Sequence, residues 1–303
     1  MSIEVKGISK NYGSQKALDN MTFSIGKGEI VGFLGPNGAG KSTMMKILTC
    51  FIPQTDGQAL VCGFDVEKES LKVRSKIGYL PESNPLYYDM YVREFLEFVA
   101  GIYAIKNTKA RIDEVIKLVG LGPEQHKKIG ALSKGYKQRV GLAQAIIHDP
   151  EVLILDEATT GLDPNQIIEI RQLIKNLGKD KTVLLSTHIM QEVEAVCDRV
   201  LIINKGKLIT DQKAGNIKTL KREVEVILVE FEKEVKHEDL IKLNGVETVD
   251  EIGSNKWKLV SAKGLDIRAS IFNFGVEQNN PVLSLTREED SLEDIFKTLT
   301  SEK

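Results

Sequence analysis

Residues 35–42, Gly35-Pro36-Asn37-Gly38-Ala39-Gly40-Lys41-Ser42, restrict the fold more than any other stretch of the chain. They fit the pattern GxxxxGK[ST], with an apolar run of strand length, Glu29–Leu34, before them and a helical run, KSTMMKILTC, after them. Three glycines let the backbone bend tightly and turn successive N–H groups inward on phosphate oxygens. Lys41 adds a point charge for the β- and γ-phosphates of a nucleotide, and Ser42 a hydroxyl for Mg²⁺. The N-terminus of the following helix faces the same anion with its dipole. Strand, phosphate loop and helix in this order imply an α/β body whose chemistry lies at the carboxyl ends of its strands.

Three further segments have the character of site residues. Val152–Leu155 is an apolar strand ending in two carboxylates, Asp156 and Glu157. Beside a phosphate loop, Asp156 suits Mg²⁺ and Glu157 suits the general base that polarises an attacking water. Ser186-Thr187-His188 closes the next buried strand, where an imidazole can contact a γ-phosphate and sense its loss. His126, His148 and His237 have no such setting and read as structural. Leu132-Ser133-Lys134-Gly135-Tyr136 opens a helix and, taken alone, is an ordinary cap able to offer free N–H groups to an anion.

From residue 1 to about 217 short β-rich runs alternate with helical ones. Strands are expected at Thr22–Ile25, Glu29–Leu34, Ala59–Cys62, Lys76–Leu80, Val152–Leu155, Thr182–Ser186 and Arg199–Asn204. Asn204-Lys205-Gly206-Lys207 reads as a hairpin turn into Leu208–Thr210. Between about 85 and 148 the strands stop, and three amphipathic runs predict an all-helical insertion. From 218 to 303 the order β-α-β-β-α-β predicts a small α+β domain of ferredoxin-like type. Its helices are expected at Lys236–Leu243 and Leu265–Phe274, and a capping box at Ser291 and Asp294 opens a last helix.

Composition excludes several classes. A formal charge of -2 over 303 residues gives no whole-molecule attraction to nucleic acid or to an anionic membrane. Cys50, Cys62 and Cys197 are far apart and form no CxxC pair, so they read as small apolar side chains in a reducing compartment. The start MSIEVKGISK lacks the apolar core of a signal peptide, and no run approaches the ~18 apolar residues that span a bilayer. A membrane role would be exercised from one side.

The order of phosphate loop, helical insertion ending in LSKGYKQRV, then LILDE, GLDP and STH closely resembles ATP-binding cassette (ABC) transporter subunits over residues 1 to about 215. The resemblance implies a P-loop NTPase cassette with a β-rich edge subdomain and the helical insertion. It implies a head-to-tail dimer with a second copy or a similar cassette, each ATP lying between one subunit's phosphate loop and the other's signature helix. An integral membrane transporter subunit is the implied further partner, reached from the inner face of the cytoplasmic membrane, with no role for nucleic acid. Carried over by position, Tyr12 would stack on adenine, and Gly35 to Thr43 would form Walker A. Ser133 and Gly135 would contact the partner's γ-phosphate, while Asp156 would be the Walker B aspartate. Glu157 would be the catalytic glutamate, His188 the switch histidine, and Asp163 the D-loop aspartate at the dimer interface; Asp163-Pro164 is also a good helix start.

Two departures from the family pattern bear on mechanism. Glu82, in GYLPE, occupies the place of the Q-loop glutamine and would bring another carboxylate beside Mg²⁺. The signature reads LSKGY where LSGGQ is common, so Tyr136 replaces an amide and Lys134 adds a cation. Both departures resemble the branch whose membrane partner is an ABC-2 exporter. SKGYKQRVGLAQAI and the appended C-terminal domain most resemble the ATP-binding component of the gliding-motility transporter of Bacteroidetes. An alternative is a cassette acting without transport, as an ATP-gated module in iron–sulfur assembly. A GTPase or kinase is a poorer fit, because Asn204-Lys205-Gly206-Lys207 lacks the aspartate of a guanine-reading NKxD.

Overall fold

The computed structural model describes residues 1–219, 224–262 and 265–287. The chain divides into two compact units, Met1–Gly215 and one starting at Asn216. The expected capping box at Ser291 and Asp294 lies outside the described residues.

The first unit opens with β1 (Ile3–Tyr12) and β2 (Gln15–Ile25), an antiparallel hairpin. Strand β3 (Ile30–Leu34), fully buried along its length, delivers the chain to the glycine loop and α1 (Lys41–Leu48). Then follow β4 (Asp56–Val61), β5 (Phe64–Asp65), α2 (Ser70–Lys76) and β6 (Ile77–Leu80). Three helices come next: α3 (Val92–Ile102), α4 (Thr108–Val119) and α5 (Lys134–Ile146). The unit ends with β7 (Val152–Asp156), α6 (Pro164–Gly178), β8 (Thr182–Thr187), α7 (Met190–Val196), β9 (Arg199–Asn204) and β10 (Lys207–Lys213).

These strands build two sheets. The larger runs β10-β9-β3-β8-β7-β6, parallel from β9 to β6, with β10 antiparallel at its edge. Strands β3, β7 and β8 are buried at every position, as both-faced burial of a parallel sheet requires. The smaller sheet, β2-β1-β4-β5, is antiparallel and forms the β-rich edge. Its inward side chains Ile3, Val5, Ile8, Met21 and Phe23 join Val31, Phe33, Met44 and Met45 in one apolar core. Helix α1 lies among both sets, so the glycine loop is held by the core from each side.

The residue pattern predicts no strand at β1, and of β2 only Thr22–Ile25. The alternation Ile3, Val5 breaks at a register shift before Ile8, where Gly7 adopts φ 62°. The three predicted helices of the insertion all form, and their buried faces are those of the amphipathic pattern.

The second unit runs β11 (Val224–Phe231), α8 (His237–Leu240), β12 (Val246–Gly253), β13 (Lys256–Ala262), α9 (Arg268–Glu277) and β14 (Val282–Arg287). Its antiparallel sheet has the order β12-β13-β11-β14. Ile227, Val229, Phe231, Leu240, Trp257, Leu259, Ile271 and Phe274 make its separate core. Helix α8 is shorter than predicted. Helix α9 starts later, because Asp266 accepts a hydrogen bond from the Arg268 N–H (3.1 Å) and holds the preceding residues out of the helix.

Candidate functional site

The site is assembled at the carboxyl ends of β3, β7 and β8, three neighbours in the parallel sheet. Each strand hands a short loop to the same edge, the carboxyl end expected of a parallel sheet that follows a phosphate loop.

The glycine loop after β3 has no room for larger residues at two points. A Cβ on Gly35 would stand 2.6 Å from the Ile203 carbonyl oxygen, and one on Gly40 would stand 2.6 Å from that of Ala17. Gly40 also adopts φ 104°, in the left-handed region where only glycine sits without strain. The hairpin turn between β9 and β10 braces the loop, since Gly206 N–H donates to the Ala39 oxygen (3.0 Å). Lys205 and Gly206 have φ 47° and 77°, the two positive values of a tight hairpin turn. This is the segment that superficially resembles a guanine-reading motif; its work is to hold the phosphate loop.

Lys41, on the first turn of α1, is 5% exposed and donates to the carbonyl oxygens of Gly35 (2.8 Å) and Pro36 (3.2 Å). Its ammonium lies 3.8 Å from Glu157. Burial holds the Lys41 pKa below the ordinary lysine value, against the opposing pull of Glu157, then Asp156 and Glu82. The exposed Glu82, in the loop after β6, therefore shares one electrostatic environment with the site. Ser42 and Thr43 follow Lys41 on the same half-buried turn.

Glu157 begins the loop after β7 in a left-handed conformation, φ 51°. Its Oε1 lies 3.1 Å from His188 Nδ1, and its Oε2 accepts from the Thr160 hydroxyl (3.0 Å). A non-glycine residue in this backbone region is strained by ~1–3 kcal/mol, so the surrounding bonds must fix it. One is the Glu157 N–H to the Ser186 oxygen (3.1 Å), between the ends of β7 and β8.

Asp156, 2% exposed, has a buried Oδ1 without a hydrogen-bond partner among the described residues, and so has Ser186 Oγ. The two residues face each other across the β7–β8 ladder. A buried carboxylate oxygen left open, beside a lysine and a helix N-terminus, fits a site for a hard divalent cation. No cluster of three or more His, Cys, Asp or Glu able to hold a metal occurs among the described residues. Such a donor set suits Mg²⁺, which takes one or two protein oxygens and completes its shell with phosphates and water.

The remaining predicted residues lie around this centre. Tyr12 ends β1, half exposed, with Lys10 Nζ 5.3 Å from its ring centroid. Ser133 is the N-cap of α5 and accepts from Tyr136 N–H (3.4 Å). Gly135 packs against α6, where a Cβ would meet the Gln166 side chain at 2.6 Å. Asp163 caps α6, accepting from Gln166 N–H (3.0 Å). Lys41, Asp156, Glu157 and His188 thus converge, while Ser133 and Gly135 belong to the opening turn of α5, the first bonded to Tyr136 and the second packed against Gln166 of α6.

Several residues escaped the motif reading. Gln138, on α5, donates to the Ala158 oxygen (2.8 Å), joining the helix that opens with LSKGY to the loop after Glu157. Asn84 donates to the Lys137 oxygen (2.9 Å), tying the Glu82 loop to the same helix. Glu192, 1% exposed on α7, binds the hydroxyls of Thr159 and Thr187. Its only local signal is its place four residues before Val196, on the face that α7 buries.

Residues 18–160 match the family model described as ABC transporter. The bacitracin transport ATP-binding protein BcrA of Bacillus licheniformis is 36% identical over 300 residues, covering 98% of this chain and 96% of BcrA. The uncharacterized ABC transporter ATP-binding protein YhcH of Bacillus subtilis is 39% identical, over 81% of this chain and 82% of its own length. Among solved structures, a dimeric bacterial ABC transporter cassette superposes with TM-score 0.64 at 28% identity, over 70% of this chain and 98% of that one. The fold is therefore the P-loop cassette fold expected from the sequence. With a match to BcrA that runs through both units, the chain belongs to the ATP-binding proteins of ABC transporters, ATPases whose hydrolysis is coupled to transport.

Proposed function

We propose that this chain is the ATP-driven motor of an ABC-2 type exporter, dimerising around ATP and working a separate membrane subunit. The observation that carries the reading is the position of Glu157, 3.8 Å from Lys41 and 3.1 Å from His188 at the end of the parallel sheet. Lys41 and the glycine-loop amides bind the β- and γ-phosphates. Glu157 accepts the proton of the water that attacks the γ-phosphorus; the bond to the β-phosphate oxygen breaks, and ADP leaves with that electron pair. His188 holds the Glu157 carboxylate in place and contacts the γ-phosphate. Ser42 and Asp156, with Glu82 beside them, would hold Mg²⁺, whose charge stabilises the phosphates when it is bound. Tyr12 stacks on the adenine.

Ser133, Gly135 and Asp163 act in the dimer. Their contacts are with Tyr136 and Gln166, on α5 and α6, rather than with Lys41, which supports their completing the ATP site of a second copy. ATP then bridges two half-sites, and loss of phosphate removes the bridge. The 218–303 segment is read as a ferredoxin-like accessory domain: its described elements follow β-α-β-β-α-β, and its sheet order agrees. BcrA, aligned over 98% of this chain, is by name a bacitracin transport protein, which supports transport as the work of the motor. The gliding-motility role rests on the resemblance of SKGYKQRVGLAQAI, the length and the appended C-terminal domain, and is kept as the narrower form of the proposal.

No helix among the described residues is long and apolar enough to cross a membrane. The proposed place is the inner face of the cytoplasmic membrane, held by the membrane subunit. Purification of the tagged chain from detergent-solubilised membranes tests this: an integral membrane protein retained in stoichiometric amount is expected. A soluble partner in its place would favour the iron–sulfur assembly alternative and overturn transport.

A further inference from the structure

Glu192 is a carboxylate almost wholly removed from solvent, on the short helix that follows His188. Neither Lys, Arg nor His is recorded as its ion-pair partner among the described residues; its two oxygens are each taken by a threonine hydroxyl. Oε1 accepts from Thr159, two residues after Glu157. Oε2 accepts from Thr187, the residue before His188, at 2.5 Å. The Thr187 hydroxyl in turn accepts from Ile189 N–H (3.0 Å), so its own proton points at Glu192. The same Thr187 accepts the Gly35 N–H on its carbonyl oxygen (3.4 Å). Gln138 of α5 also donates to the Ala158 carbonyl oxygen (2.8 Å).

We infer that Glu192 is a positioning residue which clamps the loop bearing Glu157 to the loop bearing His188 and fixes the separation of those two side chains. The reason is geometric. Glu157 and His188 stand on different loops, and their contact at 3.1 Å needs both loops held to a common support. The ladder between β7 and β8 ends at Asp156 and Ser186, one and two residues too early. Beyond that ladder the backbone bond from Glu157 N–H to the Ser186 oxygen adds one tie, and Glu192 supplies a further cross-link between Thr159 and Thr187. Burying an unpaired carboxylate is costly, and its retention here is offset by two charge-assisted hydroxyl bonds. Glutamine at this position keeps the shape but offers only one acceptor oxygen for two donated protons, so one threonine must turn away.

The inference rests on Glu157 being the base, and a double-mutant cycle separates the two. Glu192→Gln is expected to lower kcat about a hundredfold, the scale of a ~1 Å misplacement at a reacting centre, with ATP affinity and melting temperature little changed. In the Glu157→Gln background the residual single-turnover rate should not fall further when Glu192→Gln is added. If Glu192→Gln does not fold, Thr159→Val should show the same kcat loss and Thr159→Ser should restore it. Turnover unchanged in folded Glu192→Gln, with Glu157→Gln inactive, overturns the clamp and leaves the base standing. Equal losses in both backgrounds, or a kcat loss that tracks the melting temperature, also overturn it. Wild-type turnover in Glu157→Gln sinks the reading of the base and the clamp together.

Discussion

Lys41 and Glu157 face each other across 3.8 Å with only 5% and 10% of their side chains exposed. An ammonium so buried is tolerable because carboxylates share its space, and those carboxylates are tolerable because of it. The pair joins the phosphate loop and the acidic strand end in one electrostatic environment. Lys41→Ala removes the charge that meets the phosphates, and charge-assisted hydrogen bonds of this kind contribute about 1.5–3 kcal/mol. ATP affinity, read with a fluorescent ATP analogue, should fall by roughly 10- to 150-fold. Affinity within twofold of wild type would remove Lys41 from the binding site.

Gly35 tests the bracing of the loop. Its Cβ-less face lies against backbone, the Ile203 oxygen, and against Ile203 Cγ1, 2.8 Å from where a Cβ would sit. Gly35→Ala should therefore cost about 1–3 kcal/mol in thermal or urea unfolding and weaken nucleotide binding, because either the loop or β9 must move. Gly122→Ala, at a site with nothing within 4 Å, is the control and should leave nucleotide binding unchanged.

His148 gives the first unit a pH dependence. Its ring stacks on Tyr103 (centroids 3.9 Å apart), it bonds the Ile77 oxygen (3.0 Å), and its Nδ1 is buried without a partner among the described residues. Burial pushes its pKa below the ordinary 6.5, with Lys181 and Arg111 adding to the effect against the opposing Ile77 bond and Asp149. The unfolded chain then binds this proton more readily, so the stability that His148 contributes is present above pH ~6.5 and is lost as pH falls toward the folded-state pKa. Melting temperature should drop between pH 7 and pH 5, and His148→Phe should flatten that drop. An identical slope in the variant would assign the pH dependence to other groups.

The glycine loop, the acidic strand end and the placing of His188 at the end of the next strand were legible in the sequence because each shows particular residue types at fixed local spacing. The helical insertion was legible for the same reason: Phe95, Leu96 and Val99 already repeat at helical period. Strand β1 was not, since Gly7 interrupts its alternation and its partners β2 and β4 must be known before the shift makes sense. Glu192, Gln138 and Asn84 were illegible because their roles are set by what lies across the fold. Glu192 reaches Thr159 from 33 positions away, and Asn84 reaches Lys137 from 53. The start of α9 turned on one side chain, Asp266, capturing a backbone N–H that an apolar pattern cannot reveal.

The central claim, that Glu157 is the base of an ATPase that closes as a dimer around ATP, is tested most directly by one variant. Purified Glu157→Gln, with ATP and Mg²⁺, is predicted to elute as a dimer on size exclusion. Its steady-state hydrolysis should fall by about 10²–10⁴, the usual contribution of a general base. A Glu157→Gln protein that remains monomeric with ATP and hydrolyses it at the wild-type rate would contradict the account.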